Sequence, residues 1–207
     1  MPGESQPFAR PLTARGAATR LRIVEAAAAL IHARGAGRVS LDEVMEASRT
    51  SKSQLYHYFA DKDDLVREVI ALQTRRILGI NAAHLDRLDS FEALRAWRDV
   101  ILAANREGGG VGGCPIGSLA NELAPQSEAA RTLLAQSFEA WGAVIATGLA
   151  RMKAQGQLKP SADTNAISIA VLAAIQGGIL LSKSARNSTP LELAFDMALG
   201  HIERHAA

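Results

Sequence analysis

The fold is decided by the stretch VSLDEVMEASRTSKSQLYHYFADKDDL, residues 39–65. Ser40 and Ser51 are each followed three residues later by a side chain, glutamate or glutamine, that completes a capping box. In a capping box, the serine oxygen and the later side chain satisfy backbone amides that the first turn of a helix leaves free. The stretch therefore predicts two short helices, separated by the tripeptide at residues 48–50.

Longer helices are predicted on both sides of this stretch. Residues 19–34 carry apolar side chains at helical spacing and are followed by Gly35, which suits a left-handed helix end. Asp61 and Asp64 place carboxylates in the first turn of a fourth helix, where they favour the helix dipole. A longer helix followed by two short ones is typical of a helix-turn-helix unit, whose last short helix enters the major groove of DNA.

The second of the two short helices has an apolar and a polar face. Leu55 and Phe59 lie one turn apart and are expected to anchor this helix on its neighbours. The opposite face carries hydrogen-bond donors that suit base edges or phosphates, namely Lys52, Ser53, Tyr56 and His57. Any amphipathic helix has a polar face, so these side chains by themselves also fit a solvated surface without DNA function.

The order of residues in this region is more specific than its polarity. The run Leu-Tyr-His-Tyr-Phe at residues 55–59, with Lys62 after it and the capped helix before it, closely resembles the DNA-binding domain of the TetR family. The resemblance extends over residues 19–70. It implies an all-α protein in which an N-terminal three-helix helix-turn-helix DNA-binding domain is joined to a larger helical effector-binding and dimerisation domain.

The resemblance also implies roles for single residues. Positions that contact bases or nearby backbone in the family are occupied here by Lys52, Ser53, Tyr56 and His57. Positions that commonly hold phosphates are occupied by Ser40, Ser51, Gln54, Tyr58 and Lys62.

The turn departs from the family pattern. Family members usually have Ala-Gly-Val there, whereas this chain has Ser48, Arg49 and Thr50. Without glycine, either Arg49 adopts a left-handed conformation, at a cost of roughly 1 kcal/mol, or the turn differs slightly. Arg49 is also a candidate for an added phosphate contact.

The overall composition fits the same fold class. The chain has 207 residues, of which 48% are hydrophobic, and no strand-like alternation of useful length, so we expect a sizeable all-α core. The net charge of +2 is too small to indicate nucleic-acid binding, but arginines outnumber acids at the start of the chain. We predict a flexible basic arm at residues 1–18, the helix-turn-helix domain at 19–64 and the helical ligand-binding and dimerisation domain at 65–207.

The sequence favours a cytoplasmic location. A single cysteine, Cys114, excludes an internal disulfide and fits a reducing compartment. The longest apolar stretch, residues 166–181, contains two polar side chains and is too short for a comfortable membrane span. Nothing at the start is typical of a secretory leader, so we expect neither export nor membrane insertion.

The C-terminal two thirds predicts a ligand pocket. A glycine-rich loop at residues 108–113 lacks the lysine and hydroxyl residue of a phosphate-binding P-loop, which argues against nucleotide binding. Further on, apolar residues at helical spacing form a seam that mixes bulky rings with glycines. A plain core explains each of these residues by itself, but together they predict a cavity. The candidate lining residues are Trp97, Ile101, Cys114, Phe138, Trp141, Ile145, Met152 and Gln176.

The last two helices predict a subunit interface. Residues 166–181 are apolar nearly all round, and residues 189–192 begin a final helix with its own apolar stripe. In the TetR resemblance, these helices form a four-helix contact across a twofold axis, where Gly177 and Gly178 permit close approach. A homodimer also fits the reading of a palindrome, because two recognition helices must lie about 34 Å apart.

Two smaller features leave alternatives open. Cys114 stands near a predicted helix start, where a thiol can act as a sensor of oxidants or electrophiles. A small buried side chain is favoured instead, since no lysine or arginine is near in sequence. His201 and His205 are spaced to share a metal ion, but without a further evident ligand a solvated helix end is favoured. No metal or cofactor is expected.

The leading functional prediction is a sequence-specific DNA-binding transcriptional regulator. By resemblance it is a repressor released from a palindromic operator by a small, largely apolar or aromatic effector. The alternatives are a thiol-based redox or electrophile sensor that uses Cys114, and a helical ligand-binding protein without DNA function. An enzyme is not expected, because no compact catalytic constellation is visible. The expected partners are double-stranded operator DNA, a small-molecule effector and a second copy of the chain.

Overall fold

The computed structural model describes residues 12–207, except for the side chains of residues 81–83 and 85. Within this range the chain is helical and has no strand, which confirms the all-α prediction. The α-helices are α1 (Ala14–Arg34), α2 (Leu41–Ser48), α3 (Lys52–Tyr58), α4 (Lys62–Leu85), α5 (Phe91–Glu107), α6 (Pro115–Leu123), α7 (Glu128–Ala154), α8 (Thr164–Ala185) and α9 (Thr189–Glu203).

The helices form two compact units, and the division falls inside α4, between Val69 and Ile70. The first unit contains α1 to α3 and the start of α4. The second contains the rest of α4 and all of α5 to α9. The domain boundary predicted after residue 64 lies in the same helix.

The first unit is built around a small apolar core. Helix α1 packs on α2 and α3 and buries Ile23, Ala27 and Ile31. Helix α3 contributes Leu55 and Phe59, whose side chains are 0% and 1% exposed. These are the two residues predicted to anchor the recognition helix, and the prediction is confirmed.

Helix α1 begins earlier than predicted. The hydroxyl of Thr13 accepts a hydrogen bond from the Gly16 amide at 3.2 Å, and the helix starts at Ala14 instead of residue 19. Residues 14–18 of the predicted flexible arm are therefore helical. Gly16 hides this turn in the sequence because glycine is a poor helix former. The arm's remaining segment, residues 1–11, lies outside the described residues.

Helices α8 and α9 pack tightly against each other in the second unit. A Cβ added at Gly178 would lie 2.8 Å from the Cα of Leu191, so only glycine permits this approach. Phe195 of α9 is buried and meets Trp97 of α5 edge to face, with 5.1 Å between ring centres. Gly178 was predicted to permit close approach of a second subunit, and this prediction is wrong. Gly178 instead permits close packing of α8 and α9 within one chain.

Helices α7 and α8 are long and apolar enough to cross a membrane by length and composition. This is weak evidence, because core helices of soluble proteins pass the same test. Helix α8 spans Thr164–Ala185 and is longer than the apolar stretch predicted at residues 166–181. The length argument against a membrane span therefore does not hold, and the absence of a membrane location stays a prediction.

Candidate DNA interface and effector cavity

Both short helices of the first unit begin with the predicted capping boxes. At α3, the Ser51 hydroxyl accepts from the Gln54 amide at 3.2 Å, and the Gln54 side chain accepts from the Ser51 amide at 2.9 Å. These bonds leave the hydroxyl hydrogen of Ser51 and the side-chain amino group of Gln54 as donors. Both residues are exposed, so both remain suited to a phosphate.

Ser40 is less free than Ser51. Its hydroxyl donates to the Glu43 carboxylate at 2.9 Å, and its own amide donates to the same oxygen at 2.8 Å. These hydrogen bonds, with a further one from Arg34, lower the pKa of Glu43 to about 2, so the carboxylate is ionised at neutral pH. A phosphate at Ser40 would have to replace Glu43 as the acceptor of this hydroxyl.

The polar face of α3 is presented to solvent. Tyr56 is 48% exposed, and its ring lies 6.0 Å from the Lys52 ammonium, within the range of a cation–π contact. His57 is exposed and meets the half-buried Tyr58 edge to face, with 4.8 Å between ring centres. Ser53 is exposed on the first turn of α3. The predicted base-contacting residues therefore stand on an open surface over a fixed apolar anchor.

Lys62 begins α4 and is half-buried. The helix is capped by Asp61, whose carboxylate accepts from the Asp64 amide at 2.7 Å. The predicted acidic first turn is thereby confirmed, and it sets the orientation of the helix end that carries Lys62.

Two arginines of α1 position the recognition helix through contacts that were not predicted from the sequence. Arg20 pairs with Glu68 of α4 at 2.7 Å, and its guanidinium lies 5.5 Å from the centre of the Phe59 ring. Arg22 donates from Nε to the Ser48 carbonyl at the end of α2, at 2.8 Å. Both lie in the helix predicted over residues 19–34, but what they contact was not predicted. Their position one turn or less before Ile23, the first buried residue of α1, is the signal that they lie beside the packed face of this helix.

In the turn between α2 and α3, Arg49 adopts the strained left-handed conformation. Arg49 has φ 52° and ψ 47°, in the left-handed region, and its amide caps α2 by donating to the Met45 and Glu46 carbonyls. The Ser48 and Thr50 hydroxyls are 2.7 Å apart. The usual turn geometry is thus kept without glycine, at the expense of backbone strain.

We expect Arg49→Gly to raise the free energy of unfolding by about 0.5–1 kcal/mol, because glycine adopts this conformation without strain. Urea denaturation measures the change. Arg186 is a matched control, since it ends α8 in the same conformation with φ 53°. Both glycine variants should gain stability, whereas DNA affinity should fall only for Arg49→Gly if Arg49 contacts a phosphate. A loss of stability in Arg49→Gly would contradict the strain argument.

The second unit contains a cavity of about 650 Å³ between α6, α7 and α8. Of the predicted ligand residues, Cys114, Phe138 and Gln176 line it. Ile101 lines a smaller cavity of about 190 Å³ beside the glycine-rich loop. The four others line neither of these cavities and are buried: Trp97, Trp141, Ile145 and Met152.

The larger cavity also has a charged wall, which was not predicted from the sequence. Lys183 lines it together with Ile179, and both belong to α8. Gln176 and Lys183 are two helical turns apart, so they share one face of this helix. That spacing is the signal that would have linked Lys183 to the pocket. Asn121, on α6, also lines the cavity.

Cys114 caps α6 and is 7% exposed. Its sulfur accepts a hydrogen bond from the Gly117 amide at 3.4 Å. Burial raises the pKa of the thiol above its usual value, and the hydrogen bond from the Gly117 amide opposes this only in part. The thiol is therefore protonated at neutral pH, which is the opposite of what a reactive sensor cysteine requires.

We expect Cys114 of the folded protein to react with iodoacetamide at least about tenfold more slowly than in the urea-unfolded chain, since the buried thiol forms little thiolate. Mass spectrometry over time at about pH 8 measures both rates. Fast modification of the folded protein, accompanied by loss of DNA binding, would contradict this and favour the thiol-sensor hypothesis.

His201 and His205 stack edge to face with 5.3 Å between ring centres. The Arg204 guanidinium lies 2.9 Å from Nδ1 of His201. Among residues 12–207, with the side chains noted above set aside, no group of three or more metal-ligating side chains is found.

Helices α8 and α9 leave large apolar side chains exposed. They are between 59% and 67% exposed in the single chain: Ile169, Leu180, Leu181, Leu193 and Met197. We call these five residues the apolar face. A Cβ added at Gly177 would meet no atom within 4 Å, so Gly177, unlike Gly178, is open to a partner.

Two family models match the chain. Residues 23–69 match the model described as bacterial regulatory proteins, tetR family. Residues 90–197 match the model of the C-terminal domain of LmrA/YxaF-like transcriptional regulators.

Similar proteins extend over most of the chain. The HTH-type transcriptional regulator LmrA of Bacillus subtilis is 28% identical over 178 residues, which is 84% of this chain and 90% of LmrA. YxaF of the same organism, an uncharacterized HTH-type transcriptional regulator, is 28% identical over 88% of this chain and 93% of its own. A regulatory protein TetR from Rhodobacter sphaeroides has a crystal structure of the same fold, with a TM-score of 0.76 at 23% identity, covering 91% of this chain and 99% of that one.

Proposed function

The chain belongs to the TetR family of bacterial regulatory proteins, and from this membership we propose that it is a dimeric repressor released from a palindromic operator by a small effector. Like its relatives, it is a DNA-binding transcriptional regulator and not an enzyme. The alternative of a helical ligand-binding protein without DNA function is accordingly set aside. The observation that carries the proposal is the recognition helix, which is anchored by buried Leu55 and Phe59 under an exposed polar face.

Operator recognition by α3 is supported by the chemistry of its exposed side chains. Tyr56, His57, Lys52 and Ser53 offer donors to base edges and nearby backbone. Ser51, Gln54, Tyr58 and Lys62 surround them with groups that suit phosphates and would fix the register. Ser40 is the weakest member of this set because Glu43 already accepts its hydrogen.

Dimerisation through α8 and α9 is supported by the apolar face. Five large apolar side chains on two neighbouring helices are unusual for the surface of a monomer. Burying them against a second copy removes them from water and also accounts for the membrane-like composition of α8. A twofold dimer presents two recognition helices, as a palindrome requires.

Release by an effector is supported by the cavity and by its link to α4. Ser137 and Thr74 join α7 to α4 through hydroxyl oxygens 2.8 Å apart, and the next residue, Phe138, lines the cavity. A small, largely apolar or aromatic ligand that displaces α7 would act on α4, the helix that starts with Lys62. If the ligand binds better to the conformation that does not fit DNA, it shifts the population away from the operator. Such a regulator works in the cytoplasm.

The experiment that tests the proposal is a footprint on the DNA around the protein's own gene, in about 150 mM salt because phosphate contacts make affinity depend on salt. We expect a protected palindrome, with protein bound as a dimer. Transcription from the protected promoter should rise when the gene is deleted. Protection with lower transcription in the deletion strain would indicate an activator. No protection there or in a selection from genomic fragments would refute operator binding.

A further inference from the structure

We infer that the effector of the cavity between α6, α7 and α8 is an organic anion, with one acidic group attached to an apolar or aromatic body. The inference rests on the proposed function, since it names the ligand class of the same cavity. Three observations support it: the charge of the lining, an unpaired donor in the wall, and the way α6 begins.

The lining of the cavity carries one kind of charge. Among the described residues, Lys183 is the only cationic side chain of the lining, and no aspartate or glutamate belongs to it. A Cβ added at Gly113 would lie 3.4 Å from the Lys183 ammonium, which places that ammonium beside the loop at the rim. No described carboxylate lies within salt-bridge distance of it. Lys183 is exposed, so its charge, without a protein counterion, is open to an anion that enters at the rim.

Gln176 supplies the second observation. Its Nε2 atom is fully buried and makes no hydrogen bond within the described part of the chain. Its Oε1 lies so close to Gly117 that a Cβ added there would be 2.8 Å away. The carbonyl oxygen thus lies beside Gly117 of α6, and the amino group is left as an unsatisfied donor on a residue that lines the cavity. A carboxylate or similar oxygen is the partner that such a donor lacks.

Helix α6 adds to the positive potential. It begins at the cavity, with Cys114 as its cap and Pro115 in the first turn, and its first turn contains no acidic residue. The positive end of its dipole is therefore not offset by a carboxylate. The Gly117 amide is occupied by the Cys114 sulfur, so α6 contributes its field and not a free donor there.

The rest of the lining accommodates an apolar body. Phe138 and Ile179 form the apolar part of the wall, and Leu180, which also belongs to the apolar face, stands at its exposed edge. The volume of about 650 Å³ holds a ligand of two or three rings. Cationic amphiphiles fit this chemistry poorly, because they would meet Lys183 and find no carboxylate.

A matched pair of fluorescent dyes tests the inference on the full-length protein. 8-Anilinonaphthalene-1-sulfonate carries one anionic group, and N-phenyl-1-naphthylamine has the same ring system without it. We expect Lys183→Met, which keeps an apolar stem, to weaken binding of the sulfonate about tenfold and to leave the neutral dye within about twofold. Lys183→Arg should retain most of the affinity for the sulfonate, because it keeps the charge.

A cavity-filling variant identifies the site. Ala120 lines the cavity, so Ala120→Trp should abolish the Lys183-dependent binding of the sulfonate and weaken the neutral dye. Circular dichroism and the DNA footprint without dye show that each variant is folded.

The outcomes separate the inference from the proposed function. Equal weakening of both dyes by Lys183→Met, unchanged sulfonate binding in that variant, or no sulfonate binding by the wild type would overturn the anionic ligand and leave the repressor standing. Unchanged binding of both dyes in Ala120→Trp would overturn the cavity as the ligand site. If no palindrome is protected but binding of the sulfonate still depends on Lys183, only the proposed repressor function is overturned.

Discussion

Replacing both Leu193 and Met197 by glutamate is expected to convert the proposed dimer into a folded monomer. The two side chains are each 64% exposed and lie one turn apart on α9, where they belong to the apolar face. Burial of a large apolar side chain contributes about 1.5–3 kcal/mol, and a symmetric dimer buries each of them twice. Glutamates at the same positions would place four unpaired carboxylates in the interface, at a cost of several kcal/mol. Both terms oppose association, and neither acts on the folded subunit.

The loss of the dimer is expected to lower operator affinity by at least about a hundredfold, because a monomer engages only one half-site. Light scattering coupled to gel filtration gives the mass, and a DNA titration at fixed salt gives the affinity. Ile80→Glu is the matched control, since Ile80 is also 64% exposed but lies on α4. It should leave the dimer intact. A double glutamate variant that remains dimeric would show that the subunits meet through another surface.

The local features of the first unit could be predicted because each depends on residues close in sequence. A capping box needs only Ser51 and Gln54, and the anchor of α3 needs only the spacing of Leu55 and Phe59. The start of α1 was missed because Gly16 weakens the local pattern, while the cap that fixes it is a single threonine. Helix boundaries depend on such single contacts, and a single contact leaves no repeating pattern in the sequence.

The cavity could be predicted only in part because it depends on contacts between distant helices. The apolar spacing along α7 is the same for residues that face the core and for those that face the cavity. Trp141 is buried in the core whereas Phe138 lines the cavity, and periodicity does not distinguish the two environments. Gly178 is a similar case: a small residue indicates a close approach, but not whether the neighbour is α9 of the same chain or a partner.

The sharpest test of the DNA interface is a comparison of salt dependence between two variants. Lys62→Ala is expected to weaken binding to operator and non-operator DNA alike. The slope of log affinity against log salt should become about two units less steep in a dimer, one for each lost phosphate contact. Tyr56→Ala is expected to leave the slope unchanged, because tyrosine carries no charge. It should weaken the free energy of operator binding by about 1–3 kcal/mol per recognition helix. The ratio of operator affinity to non-operator affinity should therefore fall.

These opposite signatures follow from where the two side chains stand. Tyr56 lies on the exposed face of α3, whereas Lys62 starts α4 beside the capping Asp61. Neither side chain belongs to the core, so both variants should keep the unfolding midpoint of the wild type within a few degrees. Tyr56→Phe is the matched control and separates the hydroxyl from the ring: recovery of affinity would assign the contact to ring packing, such as on a thymine methyl group. A changed salt slope in Tyr56→Ala, or an unchanged one in Lys62→Ala, would mean that the two residues do not divide base and phosphate contacts as proposed.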